Sequence, residues 1–320
     1  MPLTLEEYAE YLDKRGDLSW PAPPTIQPRK ARPHLVNLPG IRGVVWSCYG
    51  VLVAISGGEL VWLSEDKFVA ELAFEKLVRE FKLWQAMTRR PGNPAEQLRV
   101  MYQTALDEQQ FQAGGRDRYP EVRAEKVWEA VFKKLKPSEF SFDPLFYGSL
   151  DEFCLKVAYF YQRSIQGTQA MPGALAMLQW ASQHLEFQGL LADGQAFSWL
   201  HIQRGLQEQG WKRPLEDLLP QHWQVWSYQV GGRKPSERLF REMVDRLQQA
   251  GLEPGEVLLV GCRIEEDIAP ARRLGFRTAL FVGDKQAVRA KSAQLADPRL
   301  RPDMLLTDLT QLRECLLGTR

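Results

Sequence analysis

VVWSCYGVL, residues 44–52, decides how this chain is read. Val44, Val45 and Trp46 form a short continuous apolar run, and Ser47 to Gly50 supply the polar and glycine residues of a turn. Such a run fits a strand buried on both faces better than an amphipathic one, which would alternate apolar with polar. Similar runs recur downstream. Gly189–Ala192 stops at Asp193-Gly194, Val257–Val260 at Gly261, and Ala279–Val282 at Gly283-Asp284, while Asp303–Leu306 offers one more strand. Helical spacing fills the intervals. A helix over 235–250 begins near Pro235 and closes at Gly251, and another ends at Gly275, the asymmetry in which proline opens and glycine closes a helix. Apolar strands alternating with helices predict a parallel sheet covered on both faces, a three-layer α/β fold.

Between residues 57 and 170 the strands vanish. Ser64 is expected to cap a helix carrying Phe74, Leu77, Phe81 and Trp84 at helical spacing, and 94–112, 121–135 and 150–165 follow the same pattern. Inserted just after the first strand, this helical segment would lie where open parallel sheets bind ligands, as a cap over a site. Its aromatic residues Trp84, Trp128, Phe132, Tyr159, Phe160 and Tyr161 are expected to be helix-on-helix core. The resulting division is an N-terminal lead-in over 1–40, an α/β core from 41–56 and 171–320, and a cap from 57–170. Thr4 with Glu7 forms a capping box for a helix in the lead-in. Pro21, Pro23, Pro24, Pro28 and Pro33 then predict an extended run.

The 320 residues carry 41 basic and 40 acidic side chains, a formal net charge of +1, which argues against a nucleic-acid footprint. No apolar run approaches the length that spans a bilayer, so no membrane partner is expected. The N-terminus lacks the pattern of a secretory signal. The four cysteines, Cys48, Cys154, Cys262 and Cys315, have neither zinc nor Cys-x-x-Cys spacing. A cytoplasmic home is the expectation.

Taken in order, the motifs resemble the haloacid-dehalogenase-like hydrolase superfamily of helical-cap type. Val45–Leu52 stands where that family has strand-Asp-x-Asp-Gly-(Thr/Val)-Leu, and Met171-Pro172-Gly173-Ala174 where a Pro-Gly helix start leads out of the cap. Leu191–Gly194 matches strand-(Ser/Thr)-Asn-Gly, and Gly231–Pro235 matches the loop with lysine before proline. Leu258–Ile268, continuing to Ala271 and Gly275, matches strand-Gly-Asp followed by a second aspartate. The resemblance implies a first aspartate as nucleophile, a second as general acid/base, a Ser/Thr holding the phosphoryl group and an aspartate holding magnesium. This chain has Ser47, Tyr49, Ala192 and Cys262 at those positions, and only Lys234 and Asp267 remain.

Magnesium prefers octahedral oxygen donors with one or two carboxylates, and a neutral hydroxyl and a soft sulfur replace two such ligands here. Asp267 and Lys234 balance as −1 and +1 with no ion. Magnesium binding is therefore expected to be lost and no cofactor is expected. As a replacement nucleophile Ser47 would need a base, and none of His34, His184, His201 and His222 stands at a matched strand end. Tyr49 reads as an aromatic plugging the vacated pocket. Cys48 and Cys262 read as small buried hydrophobes rather than a redox pair.

Lys234 has two readings, a structural ion pair with Asp267 or an anion site shared with the N–H groups of Gly50 and Gly194, and the candidate ligand-binding residues are Lys234, Asp267, Gly50, Asp193 and Gly194. Asp193 reads as a helix N-cap, and Glu265 and Glu266 as solvated first-turn acids. The functional expectation is a pseudo-hydrolase that binds an anionic small molecule or a protein partner. The alternatives are an active phosphatase-class hydrolase with Ser47 as altered nucleophile, and a structural or oligomeric protein. The oligomeric state is left open.

Overall fold

A computed structural model of the chain describes residues 1–87, 92–115, 117–135 and 140–316. Among the described residues eight strands form: β1 (Gly43–Trp46), β2 (Val53–Ile55), β3 (Thr168–Ala170), β4 (Phe187–Ala192), β5 (Gln224–Trp226), β6 (Val257–Gly261), β7 (Arg277–Phe281) and β8 (Met304–Leu306). Six form one parallel sheet in the order β5-β4-β1-β6-β7-β8. The VVW run is the central strand, fully buried, and its register pairs Trp46 with Leu190 on one side and Val260 on the other.

The layers follow from side-chain alternation. Val44, Trp46, Leu190, Leu258 and Val260 face one core together with the helix Ala174–His184, whereas Val45, Leu191 and Leu259 face another with the helix Glu237–Gln249. Helices thus cover both faces, and the α/β expectation holds. The sequence reading missed β5, whose three residues open with a glutamine, and the antiparallel pair β2–β3 that closes the base of the insertion.

The insertion is helical. Numbering helices from the chain start, α1 is Leu5–Asp13, α2 Lys67–Glu80, α3 Trp84–Met87, α4 Pro94–Ala113, α5 Ala124–Leu135, α6 Pro144–Tyr147 and α7 Leu150–Ile165. Phe74, Leu77, Trp128, Phe132, Phe160 and Tyr161 share one buried cluster separate from the sheet cores. Trp84 departs from the expectation: it is half exposed, because α2 ends at Glu80 and the helical phase that would turn it inward is lost. The N-cap of α2 is also not Ser64 but Asp66, whose side chain accepts from the amides of Phe68 and Val69.

The lead-in joins both parts. Thr4 caps α1 through the capping box, and Tyr8 and Leu12 enter the cap cluster. Asp13 then bridges Arg163 on α7 (2.5 Å) and Arg204 on the core side (2.7 Å). The proline-rich run continues extended: the Pro24 carbonyl accepts from the Gln169 side chain on β3, the Arg29 amide donates to Val282, and His34 pairs antiparallel with Leu305 of β8. No helix among the described residues is long and apolar enough to cross a membrane.

Candidate functional site

Ser47, at the carboxyl end of the central strand, meets Lys234 and Asp267, which lie 187 and 220 positions away in sequence. Lys234 Nζ donates to Asp267 Oδ1 and to Ser47 Oγ, both at 2.6 Å, and Ser47 Oγ donates to Asp267 Oδ1 at 2.9 Å. Asp267 Oδ2 accepts from the amides of Cys262 and Arg263, each at 3.0 Å. A π-helical turn, Ile264–Ile268, delivers this carboxylate to the strand end. Burial alone would raise the pKa of Asp267, but the charge of Lys234 and its hydrogen bond outweigh burial and hold the carboxyl below its ordinary range. Four hydrogen bonds occupy the acceptor capacity of that carboxylate, two on each oxygen. Of the two readings of Lys234, the ion pair with Asp267 is the contact present.

The anion-site reading meets an obstacle at both glycines. The Gly50 amide donates to the Val53 carbonyl at 2.8 Å, and the Gly194 amide donates to Ser227 Oγ at 3.0 Å, so neither is free to hold an anion. Gly50 is required for shape instead. Its φ is +85°, and a Cβ there would stand 2.6 Å from Cys262 Sγ. Asp193 is not an N-cap. The next helix, Ser198–Glu208, starts at Phe197, and Asp193 Oδ1 instead accepts from the Lys234 amide at 2.8 Å. Ala192 is fully buried at the end of β4.

Tyr49 turns its hydroxyl toward Ser198 Oγ (2.9 Å) and His201 Nδ1 (3.0 Å), so it anchors a core helix and does not fill the space beside Ser47. Burial, and then the charges of Arg204 and Arg163, hold His201 down at about 3, so the ring is neutral. The thiol of Cys262 contacts the carbonyls of Tyr49 and Ala287, and burial pushes it up to about 12; Cys48 is pushed up by burial as well.

A cavity of about 390 Å³ lies between the cap and this edge of the sheet. Ser47, Asp193, Lys234 and Asp267 are at its core end, and Trp62, Tyr102, Trp128, Tyr161 and Phe197 form its aromatic walls. The sequence reading missed three contributors. Glu121 comes from the cap, accepts from Ser227 Oγ at 2.8 Å, and is raised to about 8 by burial and by the charge of Asp193. Gln195 ties cap to core by accepting from the Ala124 amide (2.8 Å) and donating to the Val122 carbonyl (3.0 Å). Glu266 is half-buried rather than solvated, and its Oε2 is buried without a hydrogen-bond partner among the described residues. Only the exposed Glu265 keeps the expected role.

Residues 232–312 match the family model described as HAD-hydrolase-like. That stretch contains Lys234, β6, the π turn with Asp267, and β7. A 2-haloacid dehalogenase from Pseudomonas syringae pv. tomato DC3000 has a similar structure, with a TM-score of 0.53 and 20% identity, over 86% of this chain and 97% of that one. The chain has the haloacid-dehalogenase-like fold, and its segment 232–312 resembles that family. A HAD phosphatase from Thermococcus onnurineus also aligns, at 17% identity over 88% of this chain and 100% of that one, with a TM-score of 0.48. A comparison with curated protein sequences finds no match.

The magnesium that the family resemblance implies can be tested against the donors present. Asp267 already accepts four hydrogen bonds, and the Lys234 ammonium lies directly against its Oδ1. Cys262 offers a protonated thiol, a poor donor for a hard cation. No group of three or more His, Cys, Asp or Glu among the described residues could hold a metal ion. The residues do not fit magnesium.

Proposed function

We propose that this haloacid-dehalogenase-like protein has lost hydrolysis and uses its capped cavity to bind a small molecule. One observation carries the reading: Ser47, Lys234 and Asp267 form a closed, charge-balanced network at the position of the family's nucleophile and metal. A nucleophile in that position needs a base to take its proton. Ser47 has only a carboxylate held below its ordinary range and an ammonium that is itself donating to it. No histidine is hydrogen-bonded to Ser47 among the described residues, since His201 bonds Tyr49 and His184 bonds the Trp180 carbonyl. The cavity volume falls within the range that small ligands occupy. The four free, buried cysteines favour a reducing compartment, and a cytoplasmic location belongs to the same proposal.

The test is turnover of p-nitrophenyl phosphate and of a 2-haloacid by the purified chain, with magnesium and with EDTA. The expected result is no turnover above a Ser47→Ala control. EDTA-sensitive turnover, or turnover abolished by Ser47→Ala, would overturn the proposal and favour an altered-nucleophile hydrolase.

A further inference from the structure

We infer that the ligand of this cavity is an organic cation, an ammonium carried on an apolar or aromatic body, rather than the anion expected from the family. The inference rests on the binding reading above and assigns it a ligand class. An anion would need free positive charge or free donors. Lys234 is committed to Asp267 and Ser47. Arg263 is committed to Glu59 at 3.2 Å, to the Gly58 carbonyl at 2.9 Å and to the Ala287 carbonyl at 3.4 Å. The amides of Gly50 and Gly194 are taken. Of the cations lining the cavity, only the exposed Arg233 has no ion pair or side-chain hydrogen bond among the described residues.

Negative charge is in surplus. Once the pairs Lys234–Asp267 and Arg263–Glu59 are set aside, Asp193 and Glu266 remain against Arg233, with Glu121, raised to about 8, largely protonated at neutral pH. Asp193 bonds through Oδ1 alone, so its second oxygen is unpartnered among the described residues, as is Glu266 Oε2. All three carboxyls are raised, chiefly by burial; a neighbouring acid adds to this in each case, and at Asp193 the charge of Lys234 works against it. A bound cation relieves this repulsion, whereas an anion would add to it.

The opposite wall suits the rest of such a molecule. The partly buried Trp62 presents aromatic surface, backed by Tyr102 and Trp128, which are almost fully buried with ring centroids 4.8 Å apart. Ammonium groups bind between aromatic faces and carboxylates through the ring quadrupole and direct charge pairing.

Isothermal titration calorimetry of the full chain at neutral pH, using probes of one shape and three charges, tests this. The probes are 2-phenylethylamine, phenylacetate and 2-phenylethanol. Saturable binding of the amine is expected, about tenfold or more tighter than phenylacetate. Asp193→Asn and Glu266→Gln should each weaken it by about tenfold, with the thermal melt of both variants unchanged. Asp193→Asn keeps the oxygen that accepts from the Lys234 amide, and Glu266→Gln guards against a folding defect in the first variant. Preference for phenylacetate, or no binding of the amine, would overturn the ligand class while leaving the absence of hydrolysis intact. Phosphate or 2-haloacid turnover would instead overturn the binding reading itself.

Discussion

Replacing Asp267 by Asn probes the network at the sheet edge most directly. Both partners of the pair are 4% exposed, so removing the carboxylate charge leaves the Lys234 ammonium enclosed without a counter-ion. Loss of one member of a buried pair costs roughly 3–5 kcal/mol. The asparagine oxygen can still accept from the Cys262 and Arg263 amides, which places the expected loss toward the lower end of that range. For a domain of this size the melting temperature should fall on the order of 10 °C. Adding Lys234→Met removes the stranded charge, so the double variant should recover most of the loss, a coupling of about 2–3 kcal/mol.

The pH dependence has a definite sign. The Asp267 carboxyl is held below its ordinary value of 3.8 in the folded chain, so its stabilisation is fully present above that value and is lost as pH falls below it. The gap between wild type and variant should therefore narrow under acid conditions. The assay is urea unfolding followed by tryptophan fluorescence, with circular dichroism melts at several pH values. A variant melting within about 2 °C of wild type at neutral pH, or strictly additive single substitutions, would refute the reasoning.

Glu121 gives the opposite pH trend. Its folded value is raised to about 8, so the stability it contributes is full below its ordinary 4.5 and is lost as pH rises through about 8. Glu121→Gln should therefore be more stable than wild type above pH 8, by about 1–2 kcal/mol, with the advantage gone near pH 5; thermal melts across that span would detect it. Tyr49→Phe should cost about 1–3 kcal/mol in urea titrations, because it leaves the neutral, buried His201 without the hydroxyl 3.0 Å from its Nδ1.

The core was largely legible because its strands are continuous apolar runs ending at glycine or Asp-Gly, and their burial on both faces follows from that composition. The pairing of Lys234 with Asp267 was also within reach, since two opposite charges remained at one sheet edge and the neighbouring positions were neutral. Roles created by convergence of distant segments were less accessible. Asp193-Gly194 looks like a helix cap from its neighbours alone, yet a loop 41 positions later brings the Lys234 amide to it. Glu121 comes from the cap to reach Ser227, and no local pattern announces that contact. β2 and β3 are three residues each, with the whole helical insertion between them, so neither carries a readable periodicity.

The N-terminal run changes what the cap can do. Two linkers beside β2 and β3 alone would leave the lid free to swing on an axle, but the first residues give it a third attachment. α1 is embedded in the lid, Asp13 grips arginines on both sides, and His34 is laced to the outermost strand. Opening by rotation would therefore require peeling this strap away from its far end. The strap is thus a third attachment, one that any opening of the chamber would have to release.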